Sequence, residues 1–476
     1  MKKINYLLIS LLAASCLTGC GERTVYDENY GVYDGSEVTI TFYHTMGNTL
    51  KPVFDNYLEK FNEMYPNIHV EANSIGGYDD VRDQIKTEIS AENAPNLAYC
   101  YPDHIALYNK ANRIVVLDNY VDSKEMQSTY YTNTEDNTSE VLGLTQDQIS
   151  DFVTGYYEEG RAFGDGKLYS LPLSKSTEVL YYDITFFKKH NLKVPTSWEE
   201  MEEVCRQIKE IEPYSIPLGY DSSSNWFITM CEQYGSPYTS ATGNHFLFDN
   251  DINKTFVKEF ADWYKDGLVT IKELYGSYTS GLFTNLTETD GKLIRSYMCI
   301  GSSAGATYQL PIQVNGEYPF EVGIAPIPQV SKDNAKVISQ GPSLCLFKNE
   351  NVQEVNASWL LMKYLTTNVA FQAEFSMFSG YVPVIKSVFE NETYNEYFLD
   401  LGDTTSNIAA SSVKVCVEQA DNYFYSPAFV GSSEARDQVG NIMVSALSQA
   451  TTSDGLTDAE LDSIFSQAVT MCEYKS

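Results

Sequence analysis

The chain has 476 residues, more than one ordinary hydrophobic core holds, so two lobes or domains are expected. Its 43% hydrophobic and 20% charged residues are globular values, and its formal net charge is −32. Such a surface repels nucleic acid and anionic lipid, which excludes a nucleic-acid partner and leaves a neutral ligand open.

At the N-terminus Lys2 and Lys3 precede the apolar run INYLLISLLAAS, and Leu17, Thr18, Gly19 and Cys20 follow. A basic start, a short apolar segment and small residues before a cut describe an export signal, residues 1–19. The run is too short to span a bilayer as a permanent helix. The Leu-Thr-Gly-Cys ending resembles the bacterial lipoprotein signal, which implies lipidation at Cys20 and attachment to the membrane through that lipid. Residues 20–36 lack periodicity and read as a tether.

Next, EVTITFYHTMG is a strand ending at a polar-glycine turn. A helix follows with Phe54, Tyr57, Leu58, Phe61 and Tyr65 on one face, stopped by Pro66, and then the strand IHVEAN. Strand–helix–strand of this length is a βαβ unit and implies a mainly parallel sheet. Val81, Ile85 and Ile89 mark another short helix before NAPNLAYCYPD. The stretch DGKLYSLPLSKSTEVLYYD, Asp165 to Asp183, reads as strand at both ends with a polar middle, Ser174 to Thr177. A capping box, Thr196 to Glu199, opens a helix faced by Met201, Val204, Cys205 and Ile208. Phe256, Phe260 and Trp263 stack on a helix that ends at Gly267. Ala357, Leu360, Leu361, Tyr364 and Leu365 form another stripe, and the strands LIRSYMCIG, EVGIAPIP and SLCLFK continue the α/β alternation.

Catalytic and metal patterns are absent or incomplete. The five histidines include no His-x-x-x-His pair, and no phosphate-cradling Gly-x-x-x-x-Gly-Lys run occurs. The loop from Asp249 carries Lys254 and Phe260 where calcium coordination needs glycine and an acid. Ser411 to Lys414 fits Ser-x-x-Lys without an accompanying Lys-Thr-Gly. Beyond Cys16 and Cys20 there are seven cysteines, widely spaced and without Cys-x-x-Cys, which reads as buried thiols and not as a disulfide framework or zinc site. No catalytic residue, metal or cofactor is expected, although a carboxylate pair for glycoside hydrolysis stays open among 64 acidic residues.

Taken in order, VTITFYHTMG, FNEMYPNIHVE, NAPNLAYCYPD, DGKLYSLPLSKSTEVLYYD with KVPTSWEEM, GYVPV at Gly380–Val384 and SPAFVGSSEARDQVGN resemble one family. It is that of the solute-binding lipoproteins of bacterial ABC importers, the carbohydrate-type group that includes maltose- and glycerol-3-phosphate-binding proteins. The resemblance runs from about residue 37 to the C-terminus. It implies an α/β fold of two lobes, type II periplasmic-binding-protein-like, hinged on crossing segments with ligand in the interlobe cleft. It further implies an N-lobe of residues 37–173 and 298–340 and a C-lobe of 174–297 and 341–476. The partners implied are a carbohydrate and the permease subunits of an ABC transporter, with the binding protein itself a monomer. Glycerol 3-phosphate or a glycerophosphodiester is the alternative ligand.

Sugar binding needs aromatic platforms for ring faces and polar groups for hydroxyls. Trp226, in the polar setting YDSSSNWF, stands as stacking residue or as core tryptophan at a helix start. His44 and Thr45 end the first strand, where ligands of open α/β sheets gather, though a satisfied turn histidine fits equally. Tyr78 and Asp103 also follow strand ends, as cleft or plain loop residues. The resemblance makes Lys175 and Ser176 hinge and cleft-edge groups at a first crossing, with an exposed hairpin bend as the alternative. It places Ser302 and Ser303 at a second crossing and Gly341 at a third. Tyr381 matches a family ligand position or braces the Pro383 turn, and Arg436 is an anion contact or a surface salt-bridge residue.

Overall fold

Alternating burial builds the first strand of the structure, a computed structural model that describes residues 30–48, 50–121, 130–132, 139–399, 405 and 407–475. In β1 (Val38–His44) the side chains of Val38, Ile40, Phe42 and His44 face inwards. Helix α1 (Lys51–Met64), with Pro52 in its first turn, buries Val53, Phe54, Tyr57, Leu58 and Phe61 and returns the chain to β2 (Ile68–Ser74). β2 pairs parallel to β1 with Val38 opposite Ile68, completing the βαβ unit expected from the periodicity. Helix α2 (Tyr78–Ser90) leads to β3 (Leu97–Cys100), parallel to β1, and α3 (Pro102–Asn109) starts directly after it. Helix α4 (Thr154–Glu159) and the short β4 (Leu171–Pro172) complete this part of the first lobe.

Between Pro172 and Ser176 the chain leaves the first sheet for the second. There β5 (Ser176–Asp183) is the spine. Helix α5 (Trp198–Ile211) buries Trp198, Met201, Val204, Cys205 and Ile208 in the core of the second lobe. Its cap lies one residue later than the sequence reading placed it. Ser197 accepts from the Glu200 amide, and the Glu200 carboxylate accepts from Thr196 N at 2.7 Å. Then come β6 (Leu218–Tyr220), α6 (Ser223–Tyr234), α7 (Asp251–Lys265), β7 (Val269–Ile271), β8 (Met298–Ser302), β9 (Val322–Ala325) and β10 (Val337–Gln340). β8 runs antiparallel along one edge of β5, while β9 and β10 share its other edge. Residues 298–340 therefore belong to the second lobe and not to the N-lobe expected above. Residues 178–182 of β5 pair with β8 on one edge and residues 176–177 and 180–183 with β10 and β9 on the other, so this segment builds both flanks of the spine.

The return comes at Gly341–Pro342. β11 (Ser343–Leu346) inserts antiparallel between β3 and β4, so the first sheet reads β2-β1-β3-β11-β4. Helices α8 (Val352–Thr367) and α9 (Val369–Ser379) follow in the first lobe. The segment from 341 is thus not C-lobe at its start. A third passage leads through α10 (Ile408–Glu418) to β12 (Tyr423–Phe424), which pairs parallel to β10, and to α11 (Ser432–Ala450), packed on α6 and α7.

The expected tether is also shorter than 20–36. Tyr30 is buried and its ring stacks on Tyr120 at 5.6 Å, which stacks on Trp359 at 4.8 Å. Asn356 Nδ2 donates to the Tyr30 carbonyl at 2.8 Å, and the Asp34 amide to Gln353 Oε1 at 3.0 Å. Aromatic burial and backbone hydrogen bonds fix residues 30–36 to the first lobe. Cys20 and the signal lie outside the described residues. The seven cysteines from Cys100 onwards are all buried as thiols.

Candidate functional site

Three passages of backbone lie side by side between the lobes. Lys175 exchanges backbone hydrogen bonds with Val382, at 3.1 and 2.6 Å, and Leu173 N donates to the Pro342 carbonyl at 3.1 Å. Gly341 sits among them at φ +97°, and a Cβ there would stand 2.4 Å from the Ser174 carbonyl oxygen and 2.8 Å from Lys175 Cα. Only glycine combines that dihedral with that approach. The close approach Gly341 allows is to another hinge strand, not to a ligand.

Beside this hinge the lobes enclose a cavity of about 60 Å³. Tyr101, Asp103 and Glu159 wall it from the first lobe, Tyr238 and Arg436 from the second, and Ser339 and Gln340 line it from the hinge strand β10. The volume holds a few waters and is well below the roughly 300–1,000 Å³ of ligand pockets, so the lobes must part to admit a solute. A direct contact spans the cleft. Arg82 of α2 donates to Ser433 Oγ at 3.1 Å and lies 3.6 Å from the Asp437 carboxylate, both on α11, while Asp79 and Asp83 hold it from its own helix at 3.1 and 2.9 Å.

Of the twelve expected ligand residues, the fold brings four to this region. Asp103 and Arg436 face the same cavity from opposite lobes. Tyr78 and Tyr381 meet beside it, hydroxyl to hydroxyl at 3.1 Å, with Tyr78 packed on Tyr101 at 4.7 Å between centroids. Burial raises the pKa of all three phenols, which therefore stay protonated and able to donate.

The other eight take different positions. Trp226 is fully buried in the second lobe, stacked on Tyr220 at 4.8 Å and against Phe260 at 4.1 Å, so it is a core residue and no platform for a sugar. His44 is 1% exposed among Phe42, Phe54 and Tyr99, and its Nδ1 accepts the Met46 amide. Burial lowers its pKa to about 4, with Lys51 adding to the effect, so it is a neutral core histidine. Thr45 is half-buried beside it and off the cavity wall.

Lys175 is 1% exposed and ion-paired with Glu159. It supports the carboxylate that lines the cavity without lining it. Ser176 pairs with Gln340 in the hinge ladder. Ser302 Oγ caps the turn after β8 by accepting from the Ala304 amide, and Ser303 is fully buried, its Oγ accepting from Thr177 N at 3.3 Å. The expected second crossing is thus absent at these serines: Ser302 caps a turn within the second lobe, Ser303 braces the start of β5, and Gly341 alone of the three lies in a crossing.

The sequence reading missed Tyr101, Glu159, Tyr238 and Gln340. It also missed Glu178, buried behind Arg436. The Glu178 carboxylate accepts from Tyr220 Oη at 2.6 Å, while the Arg436 guanidinium donates to Asn225 Oδ1. Burial pushes the Glu178 carboxyl up to about 7, against hydrogen bonds from Tyr220 and Asn225 and the Arg436 charge.

Two α/β lobes on a three-stranded hinge, closing over a polar and aromatic cavity, define a hinged ligand-binding protein of the type II periplasmic-binding class. The chain matches the model of the bacterial extracellular solute-binding proteins over residues 56–399 and belongs to that family. It is 22% identical over 400 residues to the sn-glycerol-3-phosphate-binding periplasmic protein UgpB of Escherichia coli K12, covering 82% of this chain and 81% of that one. It is 22% identical to the multiple sugar-binding protein of Streptococcus mutans over 410 residues, covering 82% and 84%. Similar folds are the Streptomyces glaucescens GacH receptor, solved unliganded and with acarbose (TM-score 0.68, 15% identity, 91% and 98% covered), and UgpB from Mycobacterium tuberculosis with glycerophosphocholine (TM-score 0.68, 16% identity, 92% and 98%). All four are binding proteins, and none supports the glycoside hydrolase alternative.

Proposed function

We propose that this protein is the lipid-anchored receptor of an ABC importer, that it captures a neutral sugar, foremost an oligosaccharide, and that it hands the sugar to the permease without chemistry. The observation that carries the reading is the interlobe cavity, where tyrosine rings stand beside carboxylate, amide and guanidinium groups from both lobes. Rings supply stacking faces, the polar groups supply hydroxyl partners, and closure excludes water from both. Binding energy then goes into shutting the lobes, and the difference between open and closed forms is what a permease can read. Export and lipidation at Cys20 would hold a monomer outside the membrane with its cleft exposed.

Calorimetry of the soluble form starting at Gly21 against a panel of mono- and oligosaccharides tests the reading. A sugar should bind with lobe closure visible by small-angle scattering, and Tyr101→Ala should weaken it roughly five- to tenfold. Mass spectrometry of co-purifying solute names the ligand. A second reading, glycerol 3-phosphate or a glycerophosphodiester, draws on Arg436 in the cavity wall. Saturable binding of that compound with no response to any sugar would replace the first reading by the second. Release of Cys20→Ala protein into the medium checks the anchor.

A further inference from the structure

Two neighbouring strand ends build one wall of the cavity. β10 and β12 run parallel with Val337 opposite Tyr423 and Ile338 opposite Phe424, and the residues that continue them, up to Gln340 and past Ser426, line the cavity. Continued two residues beyond the ladder, that register sets Gln340 beside Ser426, on one face of strands about 4.8 Å apart. Both lie at carboxyl ends of parallel strands, the edge where solutes of α/β sheets gather. Gln340 is also fixed from its other side, opposite Ser176 of β5 and directly before the Gly341 crossing. Their polar atoms are not used up: Gln340 Nε2 and Ser426 Oγ are buried, and neither has a hydrogen-bond partner among the described residues. Other groups of the wall are engaged, Arg436 with Asn225, Glu159 with Lys175, and Ser432 Oγ with the Phe429 carbonyl at 2.7 Å.

We propose that Gln340 and Ser426 are specificity-determining contacts for a pair of solute hydroxyls, and that they make closure of the lobes depend on the solute. A buried donor without an acceptor is costly, whereas the same donor in water or against a hydroxyl is satisfied. Shut on a hydroxylated guest, both groups are paired; parted, they are hydrated; shut on nothing that can pair with them, they are stranded. The atoms also state what the guest must offer. Gln340 Nε2 only donates, so it needs an acceptor, while the Asp103 carboxylate on the opposite wall accepts and needs a donor. A hydroxyl group serves both, and Ser426 Oγ can complete either role. The assignment rests on the sugar reading for its ligand and adds which residues read the hydroxyls.

The test compares wild type with Gln340→Met, which keeps the side-chain length and removes the amide, and with Ser426→Ala and Ser426→Thr, all in the soluble form starting at Gly21. Maltose, maltotriose and a wider panel of neutral mono- and oligosaccharides are the probes, with sn-glycerol 3-phosphate beside them. Calorimetry reads affinity, and thermal melting without any probe reads the structural role. Gln340→Met and Ser426→Ala should each weaken the sugar that wild type binds about tenfold, and Ser426→Thr should retain most of the affinity. Without a probe, Gln340→Met and Ser426→Ala should melt no lower than wild type, because the atoms they remove have no partner to lose. Variants that bind the sugar as tightly as wild type overturn the proposal, and so do variants that melt lower without it. Wild-type protein that binds sn-glycerol 3-phosphate and no sugar sinks the sugar reading alone, and the same variants then decide the assignment on the two hydroxyls of that compound. Wild-type protein that answers no probe overturns both.

Discussion

Replacing Arg82 with alanine should open the unliganded protein. Arg82 is 13% exposed and its Asp437 partner 46% exposed, with 3.6 Å between them. At an effective dielectric constant near 20, a charge pair at that distance is worth about 5 kcal/mol before any cost is counted. Most of this is offset, because Arg82 keeps Asp79 and Asp83 on its own helix when the lobes part, and because the Asp437 side is partly solvated. A net of about 1 kcal/mol remains for closure, or about fivefold in the closed-to-open ratio. Small-angle scattering of unliganded Arg82→Ala should show a larger radius of gyration than wild type. Its affinity for whichever sugar binds should fall in proportion to the loss of closed form, roughly two- to threefold, since ligand must now supply part of the closing energy. Raising salt from low to physiological strength should weaken wild type more than the variant, and Asp437→Asn should add little to Arg82→Ala. Identical scattering and equal affinity in wild type and variant would refute the idea that this contact holds the lobes together.

Other substitutions separate core from cleft and hinge. Trp226→Ala should destabilise the fold by about 3–5 kcal/mol in denaturant unfolding yet leave sugar affinity of the folded fraction near wild type; the reverse pattern would restore Trp226 as a platform. Gly341→Ala should cost about 2 kcal/mol or more and change the scattering profile, since the left-handed dihedral and the overlap with Ser174 both have to be relieved within the hinge. His44→Asn keeps an acceptor for the Met46 amide and removes a titrating group. Because the folded pKa of His44 lies near 4, below the ordinary 6.5, its contribution is intact above pH 6.5 and is lost as pH falls towards 4, by up to about 3 kcal/mol. Glu178 acts with the opposite sign: its pKa is raised from 4.5 to about 7, so its contribution is intact below 4.5 and is lost as pH rises through 7. Relative to wild type, His44→Asn should therefore tilt stability to favour acid and Glu178→Gln should tilt it to favour neutral pH, as read by chemical denaturation between about pH 4.5 and 6.5.

Periodicity made much of the fold legible. The βαβ start, the apolar faces of α1, α5 and α7 and the polar middle of the first crossing all follow from local residue order. The first-strand alternation also contained the answer for His44, because it falls in step with Val38, Ile40 and Phe42 on the buried face. Its position at a strand end outweighed its phase in the reading, and the phase decided the structure. Trp226 misled for a related reason. The serines before it cap α6 at Ser222, and the polarity of a cap says nothing about the side chain one turn later. Strand partners were beyond reach, since nothing local in residues 298–340 distinguishes a strand that pairs with β5 from one that pairs with β3. The same limit hid the cavity. Asp103 and Arg436 are separated by more than 300 residues in the chain and share a wall only through the packing of α3 near α11.

The charge arrangement of the cleft ties the composition to the site. A chain with a net charge of −32 has carboxylates to spare, and beside the cleft they hold Lys175, through Glu159, and Arg82, through Asp79, Asp83 and Asp437. Lys175 is placed by the hinge and Arg82 by the closing face of α2, both against carboxylates, whereas Arg436 of α11 donates to the neutral amide of Asn225. Holding Lys175 and Arg82 in ion pairs fixes their geometry. Closure is biased by a contact from Arg82 to Ser433 and Asp437, and neither Arg82 nor Asp437 lines the cavity. Closure can therefore be altered at α2 and α11 without touching the tyrosines that line the cavity.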